Sequence, residues 1–173
     1  MEKFFSKIIG MPVIAVDYMQ PISVVRDILI DPDNGKVIAF VVDSKKGLVV
    51  SPIDIISLKH GVWIKDEGDI AESSDILRVS KVLGEYGSLF GKKVITEDGK
   101  MIGKIVDFSI DDKFLSLLKI YTSKTILGIL QYDSRVIPSK NIVMIEKSQV
   151  TVKSDDGKMI VAEKAKEVMP SAV

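Results

Sequence analysis

Cysteine is absent from the 173 residues and histidine occurs once, as His60. The first absence excludes disulfides, thiolate nucleophiles and thiolate metal ligands together. The second leaves no pair of imidazoles for a metal, and no Ser motif accompanies the lone histidine to form a nucleophile–base pair. Neither sign of charge is in excess, because 24 Lys and Arg balance 24 Asp and Glu. No net field therefore draws the chain to nucleic acid or to an anionic membrane. No apolar run approaches the ~18 residues that span a bilayer, and MEKFFSKIIG lacks the sustained apolar centre of a secretory signal. A cytoplasmic location is the expectation. Gly99, Gly103 and Gly128 stand in neither phosphate-loop pattern. No catalytic residue, cofactor or metal is assigned.

With 46% hydrophobic and 28% charged residues, the composition is that of an ordinary globular protein. The most informative stretch is Ser88 to Asp112. Val94 and Ile95 lead into Glu97-Asp98-Gly99-Lys100, and a second apolar run starts at Met101, which predicts a β-hairpin turning at Asp98-Gly99. Val106, Phe108 and Ile110 alternate with Asp107, Ser109 and Asp111, the pattern of a half-buried strand.

Earlier in the chain, Met1 to Ile9 places four apolar residues on one side of a short helical turn, or forms an extended lead-in. Strands are expected at Val13 to Asp17 and Ile22 to Asp31, joined through Tyr18-Met19-Gln20-Pro21. Asp31-Pro32-Asp33-Asn34-Gly35 is a strong turn signal, followed by a return strand over Lys36 to Asp43. A short strand at Leu48 to Ser51, a tight turn at Pro52-Ile53-Asp54 and a strand from Ile55 to Lys65, bent at His60-Gly61, complete this half. Short strands with short connections point to an all-β barrel or sandwich, since parallel crossovers need more chain. Ser73-Ser74-Asp75 then precedes helical spacing through Ile76, Leu77, Val79, Val82 and Leu83, ended by Gly84 or Gly87, and predicts a short inter-domain helix.

The second half repeats the first. Ile22, Asp27 and Ile30-Asp31 align with Ile102, Asp107 and Ile110-Asp111, and Val50-Ser51-Pro52 with Val136-Ile137-Pro138. Between these anchors the second copy is about six residues longer, in Ser123 to Asp133. That segment carries Ile126, Leu127, Ile129, Leu130 and Tyr132 and is expected to be an apolar loop that closes the barrel, meets the first domain or binds a protein partner, the last making these the candidate partner-binding residues.

Other residues have plainer readings. Asp31 to Gly35 cannot be a calcium loop, because Val42 stands where a bidentate glutamate belongs. Asp27 and Asp107 fall on the polar faces of separate strands and are expected to be structural, accepting hydrogen bonds from a neighbouring loop. Lys92, Lys93 and Lys104, beside Glu97 and Asp98, suggest a solvated mixed-charge face, and Trp63 a core or interface anchor.

The run LFGKKVITEDGKMIGKIVDFSID resembles the opening hairpin of a PRC-barrel domain, and VIPSKNIVMIEKSQVTV resembles that family's closing Pro-turn-strand element. Gly10, Asp27, Asp31 and SPIDII sit where a more diverged copy would have them, although Tyr18-Met19-Gln20-Pro21 replaces the Asp-Gly turn. The resemblance implies two tandem small PRC-type β-barrels joined by a short helix. The corresponding division is a first domain at 5–66, a linker with the helix at 67–87, a second domain at 88–154 and a C-terminal extension at 155–173. It also implies docking modules, used in the photosynthetic reaction centre H subunit and in a ribosome maturation factor. The expected function is a non-catalytic scaffold that docks another protein. The alternative is an RNA-processing or ribosome-assembly accessory factor. The protein partner is unidentified, and homo-oligomers are compatible with the sequence.

Overall fold

A computed structural model describes residues 1–126 and 130–154. In order, the elements of the first copy are β1 (Glu2–Phe4), α1 (Phe5–Ile8), β2 (Pro12–Ala15), β3 (Gln20–Val24), β4 (Asp27–Ile30), β5 (Val37–Asp43), β6 (Leu48–Val50), β7 (Val62–Ile64) and β8 (Ile70–Glu72). After α2 (Leu77–Glu85) come β9 (Lys93–Thr96), β10 (Met101–Asp111), β11 (Ser116–Ile126), β12 (Leu130–Pro138), β13 (Ile142–Ile145) and β14 (Gln149–Val152). The architecture is mostly β. Two α-helices and four single 3-10 turns are its only helical pieces among the described residues, and none of its helices is long and apolar enough to cross a membrane.

The predicted turns at Asp98-Gly99 and Asn34-Gly35 form, with Gly99 and Gly35 at φ +83° and +70°, the left-handed region where glycine lacks a Cβ penalty. The duplication is visible in the hydrogen bonds. Gly10 N–H donates to Val25 O and Val25 N–H to Met11 O; Gly91 N–H donates to Ile105 O and Ile105 N–H to Lys92 O, all at 2.9 Å. Each copy also contains one parallel pair, β2 with β7 and β9 with β14.

The expected closed barrels do not appear as closed hydrogen-bonded ladders. The second copy is an open sheet in the order β12-β11-β10-β9-β14-β13, with β1 added to β10. The first copy divides into β3-β2-β7 and β4-β5-β6-β8. A local difference at one corner separates them. In β10 a bulge between Ile105 and Asp107 lets one strand serve both partners. The corresponding stretch in the first copy breaks at Val25-Arg26, so the single strand expected over Ile22 to Asp31 is two. Likewise, Ile55 to Lys65 is irregular except for Val62–Ile64, with His60 exposed at φ +55°.

The copies meet about an approximate twofold. Val37 N–H donates to Leu115 O at 2.7 Å and Leu117 N–H donates to Gly35 O at 2.8 Å, around the bridge between Lys36 and Ser116. Each copy's lead-in then packs on the other copy. β1 pairs with the end of β10, Phe4 opposite Ser109, and Phe5 stacks on Phe108 with ring centres 4.5 Å apart. In the other direction, the segment after α2 brings the Ser88 hydroxyl to Asp27. One apolar core therefore runs through both copies, from Ile28 and Phe40 to Phe108 and Ile120. The helix α2 lays Val79 and Val82 inward, Val79 against Leu29, Ala39, Val41 and Val49 on the outer face of the first copy's sheet. Gly87, at φ +71°, receives the helix end by donating to Val82 O.

Candidate functional site

The segment Ser123 to Asp133 is not the loop expected from its composition. Ile126 ends β11 and Leu130 begins β12, so the segment extends a hairpin in which Lys124 faces Tyr132, Thr125 faces Gln131 and Ile126 faces Leu130. Leu127 and Ile129 lie outside the described residues. The expected partner-binding residues Ile126, Leu130 and Tyr132 thus share the outer end of one β-ribbon.

β12 is the terminal strand of its sheet. Its counterpart in the first copy, β6, is covered on its outer side by β8, with Leu48 opposite Glu72 and Val50 opposite Ile70. Among the described residues no strand plays the part of β8 for β12. A nine-residue edge therefore presents backbone donors and acceptors in strand geometry, an arrangement suited to accepting an added strand.

A cavity of about 330 Å³ lies where β12 approaches its turn into β13. Its floor is the end of the core, Ile102, Ile137 and Val152, each less than a tenth exposed. Lys100, Arg135, Lys140 and Lys153 also line the cavity, the three lysines exposed. Asp98 is the sole carboxylate among its lining residues, and it accepts from Ser154 Oγ at 2.6 Å, which holds its pKa below the ordinary carboxylate range. An apolar floor under a cationic rim suits a guest with an apolar body and a negative charge.

Asp27 and Asp107 do not lie on open polar faces. Asp107 is buried: its Oδ1 accepts from Ser6 N–H at 3.1 Å and Phe108 N–H at 2.8 Å, and its Oδ2 from Ser6 Oγ at 2.7 Å. Asp27 Oδ1 accepts from Ile28 N–H at 2.7 Å and Ser88 Oγ at 3.2 Å. The hydrogen bond from a neighbouring segment is as expected, and both carboxylates act as clasps for the exchanged lead-ins. With only these two donors, burial dominates at Asp27 and raises its pKa. Asp31 accepts two bonds from Arg78, 2.8 Å from Nε and 2.6 Å from Nη2, which tie α2 to the first hairpin. No metal-binding cluster occurs among the described residues.

Sequence reasoning missed two groups. Lys92, read as part of a solvated face, is 7% exposed and donates to Tyr86 O and Lys147 O at 2.6 and 2.5 Å; burial lowers its pKa. Glu2 gathers Ser109 Oγ at 2.6 Å, Lys119 Nζ at 3.2 Å and Tyr121 Oη at 3.2 Å on the outer face of the second sheet. Burial and the nearby Glu2 charge push Tyr121 up to about 12. Trp63 is half-buried and donates its indole N–H to Lys59 O at 3.0 Å, pinning the bend that holds His60.

The repeated clasp and lead-in correspond to a repeated family match: the model of the PRC-barrel domain matches residues 1–71 and again 84–165. The chain belongs to the PRC-barrel family. Each PRC match contains one of the two hairpins and one of the two parallel closing pairs. No curated protein matches the chain.

Proposed function

We propose that the chain is a non-catalytic cytoplasmic scaffold, two barrel-like PRC copies in tandem, that docks another protein along β12 and the hairpin end carrying Ile126, Leu127, Ile129, Leu130 and Tyr132. The observation that supports this reading is the terminal position of β12 in the second copy, where the first copy covers the same edge with β8. A partner strand aligned on β12 would gain main-chain hydrogen bonds, and the apolar residues of the ribbon would supply selectivity. The extra length of the second copy falls in this ribbon, which makes the difference between the copies a difference in one surface.

The test is capture of the tagged protein from native lysate at low and high salt, beside the double variant Leu127→Asp, Leu130→Asp. A defined protein retained by the wild type and lost from a normally folded variant is the expected result. Capture that survives the double substitution refutes this surface as the docking site. Ribosomal RNA that leaves as salt rises would favour the assembly-factor reading instead.

A further inference from the structure

The two copies present opposite charge at corresponding ends. Among the residues that line the cavity beside β12, the exposed Lys100, Lys140 and Lys153 outnumber the one carboxylate, Asp98. At the first copy's corresponding end, Val50 lies opposite Ile70, so the turn Pro52–Asp54 and the turn Glu67–Asp69 are neighbours and gather Asp54, Glu67 and Asp69 beside Asp66, which pairs with Lys65 at 3.9 Å. Asp66 and Asp69 are held in place by the local backbone, accepting from Gly68 N–H and Lys65 N–H, each at 2.7 Å.

The acidic end also carries the most exposed large aliphatic side chain of the molecule's described turns. Ile53 is 91% exposed, beside Asp54, and Ile56 is 61% exposed. Such a group at the tip of a tight turn leaves its apolar area in water, and its burial would be favourable by the usual hydrophobic effect. A cavity of about 330 Å³ with an apolar floor is ample for an isoleucine side chain. Within one chain Ile53 has no such seat, as its exposure shows.

We propose that the turn carrying Ile53 and Asp54 of one molecule enters the lysine-rimmed cavity beside β12 of a second copy, so that chains associate head to tail. The occupant is another copy because this chain itself carries the complementary object, an apolar knob flanked by carboxylates. Pairing of like ends would set lysines against lysines or aspartates against aspartates, so charge selects the heterologous contact. A contact of this kind leaves a free knob at one end and a free cavity at the other, and it propagates unless the rotation closes a ring. The contact leaves the hairpin end from Ile126 to Tyr132 untouched, although Arg135 to Pro138 of β12 line its cavity, and it rests on the cavity and the turn alone.

Sedimentation velocity over a concentration series to roughly millimolar tests it. The average mass of the full chain should rise with concentration at low salt, and fall back in about 0.5 M salt as the charges are screened. Ile53→Asp, and separately Lys140→Glu with Lys153→Glu, should each weaken association by about tenfold or more. These side chains are exposed, and circular dichroism will verify that the variants fold. The decisive sample is a mixture of the two variants. Each keeps one intact half of the contact, so the mixture should form heterodimers that neither variant forms alone, and growth should stop at two chains. Leu127→Asp with Leu130→Asp should associate as the wild type does. A wild type that stays monomeric throughout, variants that associate undiminished, or a mixture no different from its components would each overturn the proposal.

Discussion

Thr122 shows how a single residue separates the two copies. Its Oγ1 is buried and has no hydrogen-bond partner, while the pairings of Asp27 with Val41 and of Asp107 with Tyr121 put Val42 at the equivalent place in the first copy. A hydroxyl taken from water without a partner costs about 1–3 kcal/mol. Thr122→Val keeps the shape and removes that cost, and a melting temperature that rises by a few degrees is the expected outcome of thermal denaturation. The clasping aspartates should respond to substitution in different ways. Asp27 has a folded-state pKa raised above its unfolded value. It therefore contributes stability below the unfolded value near 3.9, and loses it as pH rises through the folded value. Asp27→Asn retains an acceptor for Ile28 and Ser88, and should stabilise the protein at neutral pH by a margin that vanishes in acid. Asp107 uses both oxygens for three donors, so Asp107→Asn should lower the melting temperature at pH 7. Denaturation of the Asp27 variant from pH 3 to 8, and of the Asp107 variant at pH 7, checks the two outcomes. Residue type alone did not reveal Lys92: a lysine among charged neighbours reads as surface, and only the fold brings two backbone carbonyls to its amine.

At the scale of elements, the hairpins were legible because their causes are local. Asp98-Gly99 and Asn34-Gly35 specify turns within a few residues, and the alternation from Val106 to Asp111 specifies a face. The helix α2 was legible for the same reason, although its sequence offered Gly84 as well as Gly87 for the stop and Gly84 lies inside the helix. The ribbon at Ser123 to Asp133 was not, because Ile126 to Leu130 surround Gly128 without alternating; its strand character comes from pairing across the hairpin. Nor was β1, whose three residues acquire strand geometry from an edge of β10 more than a hundred residues away. The free edge of β12 was equally hidden, since it depends on β8 covering β6 in one copy with no counterpart in the other. Gly103 marks another long-range constraint: a Cβ there would stand 2.6 Å from Ser123 O on β11. Gly103→Ala should force the two strands apart at that point and cost about 1–3 kcal/mol, read as a lower denaturation midpoint with unchanged denaturant slope.

For the molecule as a whole, the duplication predicted two units, and the main apolar core runs through both. Phe5 belongs by sequence to the first copy and by packing to Phe108 and Phe90 of the second, with ring centres 4.5 and 5.4 Å away. The two copies should therefore unfold in a single transition, with calorimetric and van't Hoff enthalpies in agreement. Phe5→Ala should remove about 3–5 kcal/mol and move that one transition as a whole. Two separate transitions, with only one displaced, would contradict the shared core. The size argument points the same way. A half of some 70 to 85 residues buries only about 60% of its unfolded surface, and the exchanged lead-ins make up part of that deficit.

The exchange also imposes an order of events during synthesis. Residues 1–9 are polymerised about a hundred residues before Ser109 and Asp111, against which β1 must lie. At 5–20 residues per second this is an interval of roughly 5–20 s. Throughout it the first copy has neither its helix α2 in place from the start nor any partner for Phe4 and Phe5, so the nascent chain carries an unsheltered aromatic pair and an incomplete sheet. The first copy can reach its final packing only after the second has left the ribosome.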